Sequence, residues 1–424
     1  MRTTLWLTLR NWVVLGSVIM TLASIESRGE EQAAGLPKVL KKLSENQPVK
    51  IVCLGDSVTG IYYHTGGRRA YPEMLGVALA KVYPEGKITV VNAGISGNST
   101  VNGLKRLQKD VLDQRPDLVT VMFGLNDMVR VSLEDFKTNL KSIIEQCRGV
   151  GAEVLLCTPN GIIDTSGRPV AKLQMFMQAM KEVGEKLQVP VCDVYAAYNR
   201  LRPSHPIGWR LLLSDEIHPN MDGHKLNAVE LCRAITGKLS TLKEAGPPQP
   251  AMQRTLAKLK AGAPIRVLAM SPVDSLIGPA LQTVAPGAKV EVAAWPTADQ
   301  TLAQLEQAAA KIRATQSSYD LVIVAVPLNV TPVRGAPEEA GIKSYTWILN
   351  HALSFGLQEW DVVGVTPSLF KADLTEAEQK QDDFARQIIL AQDLSVISRD
   401  VMAKDSATPQ QVVEAWLRMQ LSQK

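Results

Sequence analysis

Short apolar runs alternate with helical patterns between residues 50 and 240, and this alternation limits the folds that the chain can adopt. The runs are rich in Val, Ile and Leu and occupy residues 50–55, 88–92, 118–123, 153–158 and 189–194. Strands that are apolar at every position are buried on both faces. Such strands, separated by helices, predict a parallel sheet with helices on each side. Ligands of these sheets bind at the carboxyl ends of the strands, so the residues directly after each run need the closest reading.

One helical pattern between these runs has a marked start and end. Ser132 and Asp135 have the spacing of a capping box, and apolar residues recur at helical intervals from Phe136 to Cys147. Gly149 and Gly151 follow and predict the end of the helix.

Composition excludes several classes of protein. The 424 residues exceed one ordinary domain and predict two or three. Hydrophobic residues make up 46% and charged residues 21%, which is typical of a globular chain and not of a disordered, fibrous or many-spanning membrane protein. Lys and Arg number 46 against 42 for Asp and Glu, without a long run of one sign. This balance gives no electrostatic support for binding nucleic acid or an anionic membrane surface.

The first 27 residues resemble a secretory signal peptide. Arg2 and Arg10 form a basic start, and residues 12–25 are an apolar run shorter than the ~20 residues that a membrane span needs. We therefore expect export to the periplasm or the extracellular space. An uncleaved N-terminal anchor and a buried N-terminal helix are the alternatives.

The five cysteines show no regular spacing and no C-x-x-C pattern. An odd number without such spacing argues against a disulfide framework and against a zinc site. Buried free thiols are expected instead.

A second segment repeats the order of the first. The stretch 244–262 contains Gly246-Pro-Pro-Gln-Pro250 and is predicted to be a linker between domains at 36–243 and 263–424. Residues 264–270 align with 48–54, and the Asp-Leu-Val start and Leu-Asn end of residues 320–329 match those of residues 117–126. These matches predict an internal duplication and a second α/β domain of similar architecture.

Polar motifs follow three strand runs of the first segment, and a fourth lies in a later loop. They are Gly55-Asp56-Ser57, the stretch from Asn92 to Thr100 with Gly97 near its centre, Gly124-Leu125-Asn126-Asp127, and Asp215-Glu216-Ile217-His218-Pro219.

These motifs supply the parts of an acyl-transfer site. A serine hydroxyl such as that of Ser57 attacks a carbonyl once a general base takes its proton. His218 is suited to be that base, and Asp215, three residues earlier, can hold the imidazole in one orientation. The backbone N–H groups of Ser57 and Gly97 and the side chain of Asn126 can stabilise the oxyanion that forms.

In these four blocks the chain resembles the SGNH hydrolases, also called the GDSL-type esterase and lipase family, across residues 48–235. Ser57, Gly97, Asn126 and His218 match the four residues that name the family, and Asp215 matches its supporting aspartate. The resemblance implies a flavodoxin-like three-layer α/β/α sandwich. It also implies ester hydrolysis through an acyl-serine intermediate, without a metal or other cofactor. The family often has Leu or Ile directly after the serine, whereas this chain has Val there.

The sequence defines the substrate less narrowly than it defines the reaction. Arg68 and Arg69 in a loop after the nucleophile, and Trp209 before the histidine block, are predicted to contact the substrate. His64 is a further residue that could line the cleft, whereas Asp56 and Asp127 are predicted to be structural. We expect a small-molecule or polysaccharide ester, with carbohydrate O-acyl esters such as acetyl esters favoured. A lipid or lysophospholipid esterase, an O-acyltransferase and a non-enzymatic glycan-binding protein are the alternatives.

The second segment lacks the residues that this chemistry needs. The alignment places Val273 over Ser57 and Ala298 over Gly97, while Asn329 stands over Asn126. It has no histidine at a D-x-x-H position. We therefore predict that residues 263–424 form a degenerate, non-catalytic copy.

Overall fold

A computed structural model describes residues 35–314, 319–332, 339–353, 360–401 and 407–423. Contacts divide the chain into two compact units. The first unit contains the described residues up to Gly60, with Tyr71–Tyr198 and Lys225–Leu242; the second contains Ile61–Ala70, Asn199–His224 and the described residues from Lys243 onwards. No helix within these ranges has both the length and the apolar character that crossing a bilayer requires. The predicted signal peptide, residues 1–27, lies outside the described residues.

The first unit is built on a five-stranded parallel sheet. Its strands are β1 (Val49–Gly55), β2 (Ile88–Gly94), β3 (Leu118–Met122), β4 (Glu153–Cys157) and β5 (Val191–Cys192). Their order across the sheet is β2-β1-β3-β4-β5, and all five predicted strands are confirmed. Gly55 at the end of β1 pairs with Gly94 of β2 and with Met122 of β3, so the carboxyl ends of these strands are level.

Helices cover both faces of this sheet. In chain order, the helices up to residue 236 are α1 (Pro37–Ser44), α2 (Tyr71–Val82), α3 (Thr100–Asp110), α4 (Asp127–Arg130), α5 (Leu133–Gly149), α6 (Val170–Leu187), α7 (Val194–Leu201), α8 (Pro206–Arg210) and α9 (Met221–Thr236). Of these, α8 belongs to the second unit, and α7 and α9 each have residues in both units. Because parallel crossovers are right-handed, the connection from β1 to β2 lies on one face and the connections from β2 to β5 lie on the other. On that second face α5 packs against α3 and α6. The predicted three-layer α/β/α sandwich is confirmed.

The predicted limits of α5 are also confirmed. The Ser132 hydroxyl accepts a hydrogen bond from the backbone N–H of Asp135 at 3.0 Å, and the helix ends at Gly149.

The second unit contains a second parallel sheet with the same strand order. Its strands are β6 (Ile265–Met270), β7 (Val290–Trp295), β8 (Leu321–Val324), β9 (Asp361–Val365) and β10 (Val396–Ile397), arranged β10-β9-β8-β6-β7. The remaining helices are α10 (Gln253–Lys260), α11 (Asp274–Val284), α12 (Leu302–Ala314), α13 (Glu339–Ala352), α14 (Glu376–Ala391) and α15 (Pro409–Ser422). The predicted similarity of sheet architecture is confirmed.

Two details of this segment differ from the prediction. The stretch predicted to be a linker contains α10, because Thr255 and Leu256 give its helical pattern a buried side. The sequence also predicts a helix around Tyr345–Leu357, and this helix begins earlier, at Glu339. The end predicted for it, at Leu357, lies outside the described residues. Whether residues 36–243 and 263–424 form separate domains stays a prediction.

A polar network joins the first helix to the sheet in the first unit. Asp117, directly before β3, accepts hydrogen bonds from the backbone N–H of Lys50 at 2.8 Å and from the ammonium group of Lys42 at 2.6 Å. Glu153, which begins β4, accepts from the backbone N–H of Val39 at 2.8 Å. These carboxylates satisfy N–H groups at the start of α1 and of β1 that would otherwise lack partners.

The same network recurs in the second unit. Asp320, directly before β8, accepts from the backbone N–H of Arg266 at 2.9 Å and from Lys258 at 2.7 Å. Asp361, which begins β9, accepts from the backbone N–H of Thr255 at 2.7 Å. The aspartate of the repeated Asp-Leu-Val sequence therefore has the same physical role in both sheets.

Gly94 allows the chain after Ser57 to cross the end of β2. A Cβ atom at Gly94 would lie 2.2 Å from the backbone nitrogen of Gly60 and 2.6 Å from the carbonyl carbon of Thr59. Asn92 holds the same turn, since its Nδ2 donates to the Thr59 carbonyl at 2.8 Å. Only a residue without a side chain fits at position 94.

We therefore predict that Gly94→Ala destabilises the fold. The clash involves backbone atoms and cannot be relieved by rotating a side chain, so we expect a loss of about 1–3 kcal/mol or more in the free energy of unfolding. Gly76→Ala in α2 is the matched control, because its Cβ would be 3.6 Å from the nearest atom, the Val90 methyl. The control should change stability by no more than about 1 kcal/mol. Denaturant unfolding measures both variants, and equal stability would contradict the close approach.

Candidate active site

The turn after β1 presents Ser57 and is held by its neighbour Asp56. The Asp56 carboxylate accepts a hydrogen bond from the backbone N–H of Val58 at 2.9 Å, and its carbonyl accepts from the N–H of Gly60 at 3.0 Å. Ser57 is 7% exposed. The predicted structural role of Asp56 is confirmed, and the serine is fixed in a tight strand-to-loop turn.

The loop after β2 carries Gly97 in a left-handed conformation, with a φ of 72°. Glycine adopts this conformation without strain. The Gly97 carbonyl accepts from the guanidinium of Arg130 at 2.8 Å, and the next carbonyl, of Asn98, accepts from Asn126 Nδ2 at 3.0 Å. These two bonds tie the loop after β2 to the residues that follow β3.

Asn126 links three strand ends of the first unit. Besides its bond to Asn98, its Nδ2 lies 3.4 Å from the Asp56 carboxylate, and its Oδ1 accepts from Arg168 Nη2 at 3.3 Å. The side chain is buried, with its amide orientation set by partners on both sides. The structure thus brings Asp56, the Gly97 loop and Asn126 together.

Arg106 also binds the carboxyl-terminal edge of the first sheet, and its role was not predicted from the sequence. Its guanidinium donates to the carbonyls of Gly55 at 2.9 Å and Ala93 at 2.8 Å, and to the side chain of Asn98 at 2.8 Å. It therefore joins the ends of β1 and β2 to the loop of Gly97. Nothing in the local helix pattern distinguishes Arg106 from a solvent-exposed arginine.

Asp127 anchors the start of α3. Its Oδ1 accepts from the backbone N–H of Thr100 at 2.8 Å and from the Thr100 hydroxyl at 2.6 Å. Burial raises the pKa of Asp127, and these hydrogen bonds oppose that effect. The predicted structural role of Asp127 is confirmed.

Within the second unit, Asp215 and His218 form a close pair. Asp215 Oδ2 lies 2.7 Å from His218 Nδ1, and Asp215 Oδ1 accepts from the backbone N–H groups of Ile217 at 2.9 Å and His218 at 2.8 Å. Asp215 is 5% exposed. Burial alone would raise the pKa of Asp215, but the charge and hydrogen bond of His218 and the backbone donors hold it well below its usual range. The carboxylate therefore stays ionised beside the imidazole.

Two further histidines of the second unit lie next to this pair. The ring of His64 is 4.5 Å from that of His218 and 6.0 Å from that of His224. Both His64 and His224 are buried. The main cause, burial, and a smaller one, the charge of the neighbouring His218, lower the pKa of His64 well below its usual value. The same two causes lower the pKa of His224 to about 3. Among the described residues, these side chains do not form a group that could hold a metal ion.

The residues predicted to contact substrate make contacts within the second unit. Arg69 pairs with the buried carboxylate of Asp393 at 2.9 Å, and Arg68 donates to the Ala251 carbonyl at 3.3 Å. Trp209 is buried, and the guanidinium of Arg202 lies 4.3 Å from the centre of its ring. Substrate contact by Arg68, Arg69 and Trp209 stays a prediction.

The five cysteines, all within the described residues, are buried and unpaired, as the sequence predicts. Burial raises the pKa of Cys53 to about 12, so this thiol is not activated as a nucleophile.

The lowered pKa of His224 predicts how stability responds to acid. An unfolded histidine binds a proton below about pH 6.5, whereas folded His224 stays neutral down to about pH 3. Its contribution to stability is therefore present above pH 6.5 and is lost as the pH falls. The free energy of unfolding should drop by about 1.4 kcal/mol per pH unit for this group between these values.

His224→Gln removes that titration, so its stability should fall less steeply than that of the unaltered chain between pH 6 and pH 4. Denaturant unfolding at several pH values measures both slopes. Carboxylate titrations are common to the two proteins and cancel in the difference. Parallel slopes would show that His224 is not held neutral.

Comparisons with known proteins match the first part of the chain. The model of the GDSL-like lipase/acylhydrolase family matches residues 53–226. An acetylxylan esterase of Geobacillus stearothermophilus is 31% identical over 214 residues, which are 44% of this chain and 93% of that protein. An arylesterase of Vibrio mimicus is 29% identical over 40% of this chain and 80% of its own length.

Crystal structures of the Geobacillus acetylxylan esterase are also similar. One of them is 28% identical and covers 44% of this chain and 94% of that chain, with a TM-score of 0.39. Three others are described as catalytic mutants, in which a serine, an aspartate or a histidine is replaced, and the last two stand three positions apart. With a 31% identical relative matched over nearly its whole length, the chain belongs to the GDSL-like lipase/acylhydrolase family, the SGNH hydrolases.

Proposed function

We propose that this protein is an exported serine esterase that hydrolyses carboxylic esters through an acyl-serine intermediate. Hydrolysis of ester bonds is the reaction of the esterases to which the chain is related. The observation that carries the proposal is the 2.7 Å contact between His218 Nδ1 and an Asp215 carboxylate that stays ionised. In a catalytic triad, the histidine of such a pair is the general base and the aspartate orients it.

In the first half of the reaction, Ser57 Oγ attacks the ester carbonyl carbon. His218 takes the serine proton at Nε2, because Nδ1 is engaged by Asp215. The tetrahedral intermediate then collapses, the bond to the alkoxy oxygen breaks, and His218 returns the proton to the departing alcohol. In the second half, water attacks the acyl-serine with the same proton transfers in reverse.

The oxyanion is stabilised by the backbone N–H groups of Ser57 and Gly97 and by Asn126 Nδ2. Asn126 Nδ2 makes two hydrogen bonds within the first unit, and the one to Asp56 is long at 3.4 Å. This pattern supports the role. An oxyanion can replace that partner while the 3.0 Å bond to Asn98 keeps the amide in place. Arg168 prevents the amide from flipping and so keeps the donor facing in one direction.

Acyl esters of carbohydrates, acetyl esters in particular, are the proposed substrate class. The similarity to an acetylxylan esterase supports it, and so does the polar Gly66-Gly-Arg-Arg69 loop after the nucleophile. The leaving group is then a sugar hydroxyl. Export through residues 1–27 belongs to the same proposal, since polysaccharide substrates lie outside the cytoplasm.

Residues 263–424 are proposed to be a non-catalytic copy of the esterase fold. The repeated carboxylate networks of Asp117 and Asp320 and the shared strand order support a common origin. Val273 stands at the position of the nucleophile, directly before α11, and has no hydroxyl. This segment therefore contributes no nucleophile of its own.

Ser57→Ala should abolish ester hydrolysis. We expect kcat/KM for acetyl esters to fall by at least about 10⁴-fold, because the acyl-enzyme cannot form. Asp215→Asn should cost about 10⁴-fold, because the amide holds the imidazole in the wrong tautomer. Hydrolysis of aryl acetates and of acetylated xylooligosaccharides by purified full-length protein measures both.

Ser44→Ala, at an exposed serine that ends α1, is the control and should keep full activity. Undiminished hydrolysis by Ser57→Ala would reject the mechanism. Faster hydrolysis of long-chain acyl esters than of acetyl esters would reject the carbohydrate substrate class and favour a lipid esterase, with the mechanism intact.

A further inference from the structure

The two ends of the loop that carries Asp215 and His218 are joined by backbone pairing. It runs between α8 and α9 as a short hairpin in which Leu213 pairs with Pro219. The backbone N–H of Ser214 donates to the carbonyl of His218 at 2.9 Å. A movement of Ser214 therefore moves the His218 backbone with it.

Ser214, directly before Asp215, is fully buried and bonds two side chains of residues 263–424 within the second unit. Its hydroxyl accepts from Asn350 Nδ2 at 3.2 Å and lies 3.4 Å from Gln392 Oε1, to which it can donate. Asn350 lies near the end of α13 and is fully buried, and Gln392 directly follows α14 and is 1% exposed. Buried polar groups of this kind hold each other in place, because none has water as an alternative partner.

The residue on the other side of Asp215 is held by the same helix. Glu216 forms an ion pair with Lys343 of α13 at 2.7 Å, and this hydrogen bond lowers the pKa of Glu216. Both side chains are partly exposed, so the pair fixes direction more than it adds stability. Asp215 thus lies between two residues that are each bonded to α13.

The turn after α14 also holds the loop that contains His64. Asp393 forms the buried ion pair with Arg69, and it adjoins Gln392, the partner of Ser214. His64, in the same loop as Arg69, packs against His218 at 4.5 Å. Two neighbouring residues of the segment 263–424 therefore bond to both loops that surround the His218 ring.

We propose that Asn350 and Gln392, supported by Lys343 and Asp393, are positioning residues for the Asp215–His218 pair, so that the non-catalytic segment 263–424 is a required part of the active esterase. The inference rests on the proposed function, because it assigns these residues a role through the catalytic base. Asn350 and Gln392 precede β9 and β10 respectively, so they belong to the amino-terminal edge of the second sheet. The positions of the lost catalytic residues lie at its opposite, carboxyl-terminal edge.

The test uses Ser214→Ala, Asn350→Leu and their double variant in the full-length protein. A displaced base impairs the chemical step, so Asn350→Leu should lower kcat for acetyl esters by about 10- to 100-fold and leave KM within about threefold. If Asn350 acts through Ser214, the double variant should be no less active than the poorer single variant. A purely structural role does not produce this non-additivity in kcat.

Thr366→Val is the matched control. Its hydroxyl is fully buried in the second unit and bonds the Ser368 hydroxyl at 2.9 Å, but it directly follows the carboxyl end of β9. The control removes a comparable hydrogen bond and should keep kcat within about twofold. Unfolding midpoints and circular dichroism of all variants identify any that do not fold, and Ser214→Ala is the milder substitution if Asn350→Leu is one of them.

The outcomes separate this inference from the proposed function. Wild-type kcat in Asn350→Leu and Ser214→Ala, with Ser57→Ala inactive, overturns the positioning role and leaves the esterase mechanism standing. An equal loss of kcat in Thr366→Val also overturns it, since the effect would then come from general destabilisation. If the Ser57→Ala variant and the Asn350→Leu variant are each fully active, both the esterase mechanism and the positioning role are overturned. A selective, non-additive loss of kcat supports the inference.

Discussion

A buried carboxylate bound to an imidazole, Asp215 to His218 at 2.7 Å, is the interaction on which the proposed chemistry depends. Removing a carboxylate from water favours its neutral form, and a protonated aspartate could not orient a histidine or stabilise its positive charge. The protein offsets this cost with the nearby imidazole and two backbone N–H donors. The loop that supplies these donors is therefore as important as the two side chains.

The proposed nucleophile and oxyanion site depends on the geometry of a parallel sheet. The carboxyl ends of neighbouring strands lie level, so residues far apart in sequence meet at one edge. Gly94 lets two of these segments touch, and Arg106 binds their carbonyls. The second sheet has the same strand order but carries Val273 and Ala298 where the first has its serine and glycine. The side chains that contact the Asp215–His218 loop, Asn350 and Gln392, precede β9 and β10 of the second sheet. The proposed positioning role would therefore need the fold of residues 263–424 and not their chemistry.

The sequence predicted what local patterns determine. Apolar runs located every strand of the first sheet, and the hydroxyl of Ser132 marked the start of α5, because these features follow from burial and from capping within a few residues. It did not reveal the role of Arg106 at the ends of β1 and β2, that of Arg168 beside Asn126, or the partners of Ser214. Most of those contacts join residues tens to more than a hundred positions apart. A polar residue that will be buried looks the same in sequence as one that stays in solvent.

The central claim is that Ser57 is the nucleophile activated by His218. An organophosphonate probe that traps activated serines, applied to the full-length protein and followed by mapping of the modified peptide, tests it most directly. The account predicts a single label on Ser57, none in Ser57→Ala, and much slower labelling in Asp215→Asn. A label on another residue, or ester hydrolysis that persists without any label on Ser57, would contradict it.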